Sequence, residues 1–190
     1  MRREPPPTVT LASRRGFDGR HLHLRVDDVR LPSGRESVRE VLEHPGSVAI
    51  VPVTRDGLVV MMRQFHHCIG RTLLGLPAGT REPGEPAIET ARRELLEETG
   101  YAADDLSPLL GYFSSPGITN ERMDLFLATG CSLEGGIADP DESIVLELVP
   151  LAEVPALLAP GAGWVEDGKT LIGLLHLLRL FGDPPRLPAN

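Results

Sequence analysis

Alternating apolar and polar residues mark the first part of the chain and predict short β-strands. The alternation covers residues 8–13, 21–29 and 38–43, with glycine and proline between the stretches. A side-chain period of two is typical of strands with one buried face. Residues 1–8 are charged and proline-rich, so they predict a loose tail. We predict that residues 1–43 comprise this tail and a small antiparallel β meander.

Longer apolar patterns predict a second domain over residues 44–190. The run SVAIVPV at 47–53 has no polar alternation, which indicates a strand buried on both faces. Asp56-Gly57 is a hairpin signal before the return strand at 58–64. The other strands are predicted at 109–114, 123–129 and 144–149, and the helices at 86–99, 151–158 and 169–181. Strands and helices in one region predict an α/β fold.

The helix predicted at 86–99 has clear boundary signals. Pro86 lies in the first turn, where its missing N–H costs little, and Gly100 follows the last turn, where a left-handed cap is usual. On a wheel of 100° per residue, one side is apolar enough to pack on a sheet. That side carries Ile88, Ala91, Leu95 and Thr99.

Three glutamates share a different face of this helix. Glu94, Glu97 and Glu98 lie at spacings of three and four, so their like charges repel one another. A compensating cation would relieve this repulsion, and carboxylate oxygens are the ligands that Mg²⁺ and Mn²⁺ prefer. The same three residues could instead form an ordinary solvated acidic face. The helix pattern alone does not decide between these two interpretations.

The loop before the helix favours a site. LPAGTREPGE, at 76–85, contains two glycines and two prolines, which suits an irregular backbone held close to another group. Arg92 and Arg93 offer counter-charges, and Arg93 and Glu97 form an i,i+4 pair. The sequence therefore predicts a carboxylate-lined metal site at this loop and helix.

Charge and composition exclude some classes of function. The net charge is −8, and no block of five or more Lys or Arg occurs, so we expect no extended nucleic-acid interface. No apolar run has the length of a bilayer span, and the N-terminus lacks an apolar signal core. Cys68 and Cys131 match no zinc spacing and are expected to be reduced thiols. We expect a cytoplasmic protein without a membrane partner.

Residues 79–101 resemble the Nudix box. That motif is Gly, five residues, Glu, seven residues, Arg-Glu, an aliphatic residue, any residue, Glu-Glu, any residue, Gly and a bulky apolar residue. Every fixed residue matches at the right spacing, namely Gly79, Glu85, Arg93, Glu94, Glu97, Glu98 and Gly100. Tyr101 departs mildly, because the family usually has an aliphatic residue there. The resemblance implies a Nudix fold, a mixed β-sheet between helices with the box as loop, helix and loop.

The resemblance also implies metal-dependent hydrolysis of a nucleoside diphosphate linked to another group. It implies that Glu94, Glu98 and the main-chain carbonyl of Ala78 hold Mg²⁺ or Mn²⁺. Glu97 would be a further ligand or the base that activates water. The resemblance implies that Arg93 orients these carboxylates by ion pairing and that Glu85 helps to place them.

Further segments resemble the ADP-ribose pyrophosphatase branch of this family. They are HPGSVAIVPV (44–53), VMMRQF (60–65), LPAG (76–79), SSPGITNE (114–121) and DGKTLIGLL (167–175). This resemblance implies a small-molecule substrate, ADP-ribose, cleaved to AMP and ribose 5-phosphate. It also implies a homodimer, because members of the branch commonly exchange N-terminal strands between subunits. Residues 1–43 would then be the dimerisation element.

Three more residues are candidates through this branch. Arg63 resembles a substrate-contacting arginine, although it could be an ordinary arginine at a strand end. Glu121 resembles a glutamate near the terminal ribose, although it could simply cap its loop. Glu142 lies in a polar loop that sometimes supplies the base, although such loops often carry acidic residues for solubility alone. His66 and His67 are expected to be surface or partly buried residues without a catalytic role.

One position departs from the branch and leaves alternatives open. Gly75 occurs where a glutamate is usual, which could alter the number of metals or the substrate preference. The alternatives are another Nudix substrate, such as GDP-mannose, another sugar nucleotide or NADH, and a non-catalytic module that senses a nucleotide. The sensing interpretation is disfavoured because such modules usually lose a box carboxylate, and all are present here.

Overall fold

Eleven strands and three α-helices form the described part of the chain, residues 5–135, 144–159 and 165–181 of a computed structural model. The strands are β1 Val9–Asp18, β2 His23–Arg30, β3 Glu36–Glu43, β4 Ser47–Thr54, β5 Leu58–His66, β6 Arg71–Gly75, β7 Ala78–Thr80, β8 Tyr101–Ala102, β9 Asp105–Phe113, β10 Arg122–Leu133 and β11 Ile144–Pro150. The helices are α1 Ala87–Thr99, α2 Val154–Leu157 and α3 Gly168–Phe181.

The chain divides into two units. One takes the described residues up to Gly46 together with Tyr112–Arg122, and the other takes Ser47–Gly111 and the described residues from Met123 onward. The strand order β1-β2-β3 in the first unit is fully antiparallel, which confirms the predicted meander. The segment from Tyr112 joins this unit through a bridge between Leu42 and Thr119.

The second unit contains a mixed sheet with the order β11-β5-β4-β10-β8. Strand β4 pairs in parallel with β10 and antiparallel with β5, and β6 and β7 pair with β5 and β4 respectively. Every residue of β4 except Thr54 is buried, as the unbroken apolar run predicted. The hairpin to β5 turns at Gly57, whose φ of 81° requires the left-handed region.

Helices cover both faces of this sheet. Leu95 of α1 packs in one cluster with Val48 and Ile50 of β4. Gly173 of α3 lies so close to Val51 of β4 that an added Cβ would be 3.0 Å from its Cγ2 atom. Because consecutive strand residues point to opposite faces, α1 and α3 lie on opposite sides of β4. The predicted mixed sheet between helices is therefore confirmed.

Several elements differ from the sequence prediction. The short strands β6, β7 and β8 were not predicted, because their pairing depends on distant strands rather than on local alternation. Strand β9 begins at Asp105 instead of residue 109. The helix predicted at 151–158 is a 3₁₀ turn, Leu151–Glu153, followed by the single turn of α2, which has proline in its first positions. No described helix combines the length and apolar character that crossing a bilayer requires.

Candidate functional site

Helix α1 carries the box carboxylates, ends at Thr99 as predicted and begins at Ala87, one residue later than predicted. Pro86 is its N-terminal cap residue, in an extended conformation. Gly100 closes the helix with φ of 72° and donates its N–H to the carbonyl of Leu96 at 2.8 Å. The helix is thus fixed at both ends, and its second half presents the acidic residues to the loop that precedes it.

The buried side of α1 differs from the predicted wheel. Ala91, Leu95 and Thr99 are buried as predicted, but Ile88 is 37% exposed. Glu98, which the wheel placed on the polar face, is only 8% exposed. The buried arc is therefore centred closer to Ala91 and Glu98 than the apolar pattern indicated, and Ile88 lies at its edge in the first turn.

Two box carboxylates converge on the dipeptide Ala78–Gly79. Oε2 of Glu98 accepts the main-chain N–H of Ala78 at 2.8 Å. Glu94 contacts the next residue so closely that a Cβ added to Gly79 would be 1.9 Å from the Glu94 Cδ atom. Glycine is needed at the start of the box because any side chain there would displace the Glu94 carboxylate.

Arg93 binds three of the box glutamates at once. Its Nε and Nη2 atoms lie 3.1 Å from the two carboxylate oxygens of Glu85, a bidentate arrangement. Its Nη1 atom donates to Glu94 at 2.8 Å and to Glu97 at 3.0 Å. These carboxylates, Glu85 first among them, raise the pKa of the guanidinium above its ordinary value. Arg93 therefore supplies counter-charge to the acidic cluster and fixes the direction of its side chains.

Glu85 joins the box loop to the helix. Besides Arg93, its carboxylate accepts the Thr90 hydroxyl at 2.8 Å and the main-chain N–H of Glu82 at 3.1 Å. Arg93, the Glu82 N–H and the Thr90 hydroxyl lower the pKa of Glu85 to about 2. Arg81 also donates to the Glu85 carbonyl at 2.8 Å, so both the side chain and the main chain of Glu85 are hydrogen-bonded.

The adjacent residues Glu97 and Glu98 occupy different environments. The Glu97 side chain is 58% exposed and contacts Arg93 from the solvent side of the helix. Glu98 is buried against Ala78. The buried carboxylate suits a ligand or a structural acceptor, and the exposed one can reach a water molecule or a bound substrate.

The residues present fit a hard divalent cation by their chemistry. Glu98 brings a carboxylate oxygen to Ala78 and Glu94 brings its carboxylate to Gly79, and the Ala78 carbonyl is a further oxygen donor. Mg²⁺ is commonly held by one or two carboxylates, with water and substrate phosphate completing its octahedron. Within the described residues, no three or more His, Cys, Asp or Glu side chains are arranged to hold a metal ion. A site at Glu94 and Glu98 does not require a third such side chain.

The branch-specific candidates have the following surroundings. Arg63 lies on β5, and its Nε atom is 2.5 Å from Oε2 of Glu147 on β11. In the N-terminal unit, Glu121 accepts the Ser114 hydroxyl at 2.6 Å. Glu142 lies outside the described residues. The roles of Arg63, Glu121 and Glu142 remain predictions.

Thr90 and Glu147 bond site residues but were not among the predicted candidates. Thr90 is buried and bonds Glu85, and Glu147 forms the ion pair with Arg63. Thr90 could have been found from the sequence, because it is a threonine in the first turn of a helix and follows an acidic residue. No local signal marks Glu147, because its partner lies on a neighbouring strand.

Known proteins resemble the chain over most of its length. The family model of the NUDIX domain matches residues 43–170, and that of the nucleoside diphosphate sugar hydrolase N-terminal domain matches residues 9–42. An ADP-ribose pyrophosphatase of Bacillus subtilis (strain 168) is 38% identical over 168 residues, covering 88% of this chain and 91% of the relative. A methanol dehydrogenase activator of Bacillus methanolicus is 36% identical with the same coverage.

A solved structure of an ADP compounds hydrolase has the same fold. It superimposes with a TM-score of 0.81 and covers 95% of this chain and 97% of that chain, at 23% sequence identity. Nudix ADP-ribose pyrophosphatases use divalent metal ions in general, which agrees with the donor chemistry of the box helix. Three findings agree on the family of this chain: the matched domain model, the relative from Bacillus subtilis and the intact box. The chain belongs to the Nudix hydrolase family.

Proposed function

We propose that the chain hydrolyses the diphosphate bond of ADP-ribose, releasing AMP and ribose 5-phosphate, with Mg²⁺ or Mn²⁺ as its metal. The convergence of Glu94 and Glu98 on Ala78–Gly79 carries this proposal, because it brings hard oxygen donors to one point of the fold. The name and the 38% identity of the Bacillus subtilis relative support the choice of substrate.

The box residues have different roles in the proposed reaction. A divalent ion at Glu94, Glu98 and the Ala78 carbonyl would neutralise charge on the phosphoryl oxygens and lower the pKa of a water molecule. Arg93 holds Glu94 in the direction of the loop. Glu97, the exposed carboxylate, takes a proton from the attacking water or acts as a further ligand in this proposal.

Three residues complete the proposed machinery. Arg63 contacts the substrate, and its ion pair with Glu147 fixes the direction of the guanidinium. Glu121 contacts the terminal ribose, with its carboxylate oriented by the Ser114 hydroxyl. Glu142 is the alternative to Glu97 as the general base.

We also propose that the enzyme is a homodimer assembled through the N-terminal sheet. Strand β1 is exposed along its whole length and carries apolar side chains, with Val9 55% and Phe17 56% exposed. Such residues at a sheet edge suit pairing with a second copy of the chain. Light scattering after size exclusion should give the mass of a dimer, and a Phe17→Glu variant should shift the mass toward a monomer. A monomeric wild type would contradict this assembly.

The test of the activity is a substrate panel with Mg²⁺ or Mn²⁺. ADP-ribose, GDP-mannose, another sugar nucleotide and NADH are incubated with the purified protein, and the products are separated by chromatography. Release of AMP and ribose 5-phosphate at the highest kcat/KM from ADP-ribose supports the proposal. A higher kcat/KM for another diphosphate would assign that substrate instead. If the metal-loaded protein cleaves none of them, the proposed activity is refuted and the nucleotide-sensing interpretation is favoured instead.

A further inference from the structure

The polypeptide changes partner strands directly before the box. Strand β6 pairs with β5 and ends at Gly75, and β7 pairs with β4 and begins at Ala78. Leu76 and Pro77 lie between these two ladders. Leu76 is 1% exposed, so its main-chain N–H needs a partner from within the protein.

Thr170 of α3 supplies that partner. Its Oγ1 atom accepts the Leu76 N–H at 2.9 Å, and the side chain is completely buried. The same hydroxyl donates to Oδ2 of Asp167 at 2.5 Å, which fixes its rotamer with the lone pair directed at Leu76. A threonine hydroxyl both accepts and donates, so it can join a main-chain N–H to a carboxylate.

Asp167 anchors this arrangement to the beginning of α3. Its Oδ2 atom also accepts the main-chain N–H of Thr170 at 3.2 Å and lies 3.0 Å from Nζ of Lys169. A second contact follows one turn later, since a Cβ added to Gly173 would be 2.6 Å from Cδ1 of Leu76. Helix α3 is therefore fitted to Leu76 through both a hydrogen bond and close packing.

The next residues of the same segment are fixed by other elements. The carbonyl of Pro77 accepts the N–H of Ile50 at 2.9 Å, and the N–H of Ala78 donates to Glu98. Consecutive residues thus have their positions set by α3, β4 and α1 in turn. A shift at Leu76 would move Ala78 relative to the carboxylates of α1, because the backbone between them is short and ordered.

We infer that Thr170 and Asp167 are positioning residues for the box site. They act through Leu76 and fix where Ala78–Gly79 meets Glu98 and Glu94. The inference rests on the proposed function in one respect, that Ala78–Gly79 with these carboxylates holds the metal.

Gly75 belongs to the same arrangement: a Cβ there would be 3.5 Å from Oγ1 of Thr170 and 3.8 Å from Oδ2 of Asp167. The space beside this glycine therefore faces the Asp167 carboxylate.

The test compares Thr170→Val, which removes the acceptor while keeping the shape, with Thr170→Ser, which keeps the hydroxyl. Thr54→Val is the matched control. Oγ1 of Thr54 accepts the N–H of Leu58 at 2.9 Å and donates to Asp56 at 2.6 Å, the same arrangement at the β4–β5 hairpin. Mn²⁺ affinity without substrate, amide hydrogen exchange over residues 76–79, and kcat and KM for ADP-ribose are measured for each protein.

Thr170→Val should weaken Mn²⁺ binding by about 10-fold or more, the usual range for residues that orient ligands. It should also speed exchange of the Ala78 amide and lower kcat more than it raises KM, whereas Thr170→Ser should stay close to wild type. Thr54→Val should change none of these. Unchanged Mn²⁺ affinity and Ala78 exchange in Thr170→Val, or equal effects in Thr54→Val, would overturn the inference.

The two proposals fail in different ways. A wild type that binds Mn²⁺ but leaves ADP-ribose intact refutes the proposed substrate, while the Mn²⁺ and exchange measurements still decide the role of Thr170. If Thr170→Val does not fold, Asp167→Ala replaces it, because alanine removes the acceptor that orients the Thr170 hydroxyl. Asp167→Ala should weaken Mn²⁺ binding in the same direction by a smaller factor, and an unchanged affinity would overturn the inference.

Discussion

The main-chain N–H of Ala78 donates a hydrogen bond of 2.8 Å to Oε2 of Glu98. This contact joins the loop that opens the Nudix box to the helix that closes it, across 20 positions of the chain. Glu98 is 8% exposed, so a buried carboxylate without this partner would be costly. The position of the loop is therefore coupled to that of the helix through the Glu98 side chain.

Replacing the buried carboxylate should remove activity and keep the fold. Glu98→Gln retains an oxygen that can accept the Ala78 N–H, but it loses the charge that a divalent ion requires. We expect kcat/KM for ADP-ribose to fall at least about 100-fold, with circular dichroism unchanged. Glu89→Gln on the same helix is the control, because Glu89 is 57% exposed and contacts only Arg92, at 3.8 Å, among the described ion pairs. Equal activities of the two variants would contradict the role of Glu98.

Replacing the arginine that joins the glutamates should lower stability. Arg93→Lys keeps the positive charge but cannot bind Glu85 in a bidentate manner while also reaching Glu94 and Glu97. The side chain is 28% exposed, so we expect a moderate loss of about 1–2 kcal/mol in the free energy of unfolding. Arg92→Lys, at an exposed pair, should lose less than about 0.5 kcal/mol. Urea unfolding measures both, and an Arg93→Lys loss no greater than that of Arg92→Lys would show that the Arg93 contacts are not stabilising.

A single methyl group at the first box glycine should misplace a carboxylate. In Gly79→Ala the new Cβ would be 1.9 Å from Cδ of Glu94, and because that carboxylate ends a flexible side chain, it would move rather than unfold the protein. We expect kcat to fall on the order of 100-fold with little change in melting temperature. Gly168→Ala has no heavy atom within 4 Å of its Cβ and should keep wild-type kcat. Wild-type kcat in Gly79→Ala would show that Glu94 does not need its observed position.

Acid should remove one identifiable part of the stability. The pKa of Glu85 falls from its ordinary value of 4.5 to about 2 in the folded protein, so folding favours the ionised carboxylate. Its contribution is complete above about pH 4.5 and is lost as the pH falls toward 2. The difference in unfolding free energy between wild type and Glu85→Gln should therefore shrink over this range. A difference that stays constant with pH would contradict the ion pair with Arg93.

Removing divalent metal should abolish turnover without unfolding the protein. Arg93 supplies counter-charge to Glu85, Glu94 and Glu97, so the acidic helix has a partner when no cation is bound. We expect excess EDTA to eliminate hydrolysis of ADP-ribose, and excess Mg²⁺ to restore it, with the unfolding curve nearly unchanged by EDTA. Turnover that persists in excess EDTA would exclude the metal-dependent mechanism.

The local patterns of the sequence were sufficient for the main elements of the site. Pro86 near the first turn, the cap at Gly100 and the apolar period between them predicted α1, and the unbroken apolar run predicted β4. The spacing of the box glutamates predicted the pair on one helix side, because residues four apart on a helix are neighbours whatever surrounds them. The domain boundary, the homodimer and the roles of the site residues stay predictions until they are measured.

The amino-acid sequence by itself determined the family, the box helix and the identity of its carboxylates, since these depend on neighbouring residues along the chain. Only the tertiary structure decided that Glu98 is buried while adjacent Glu97 is exposed, because that depends on what packs against each side of α1. It also decided the change of partner strand at Leu76 and the bond to Thr170, 94 positions away. A hydrogen bond between distant segments leaves no periodic trace in a sequence, because its geometry exists only once the sheet and α3 have packed together.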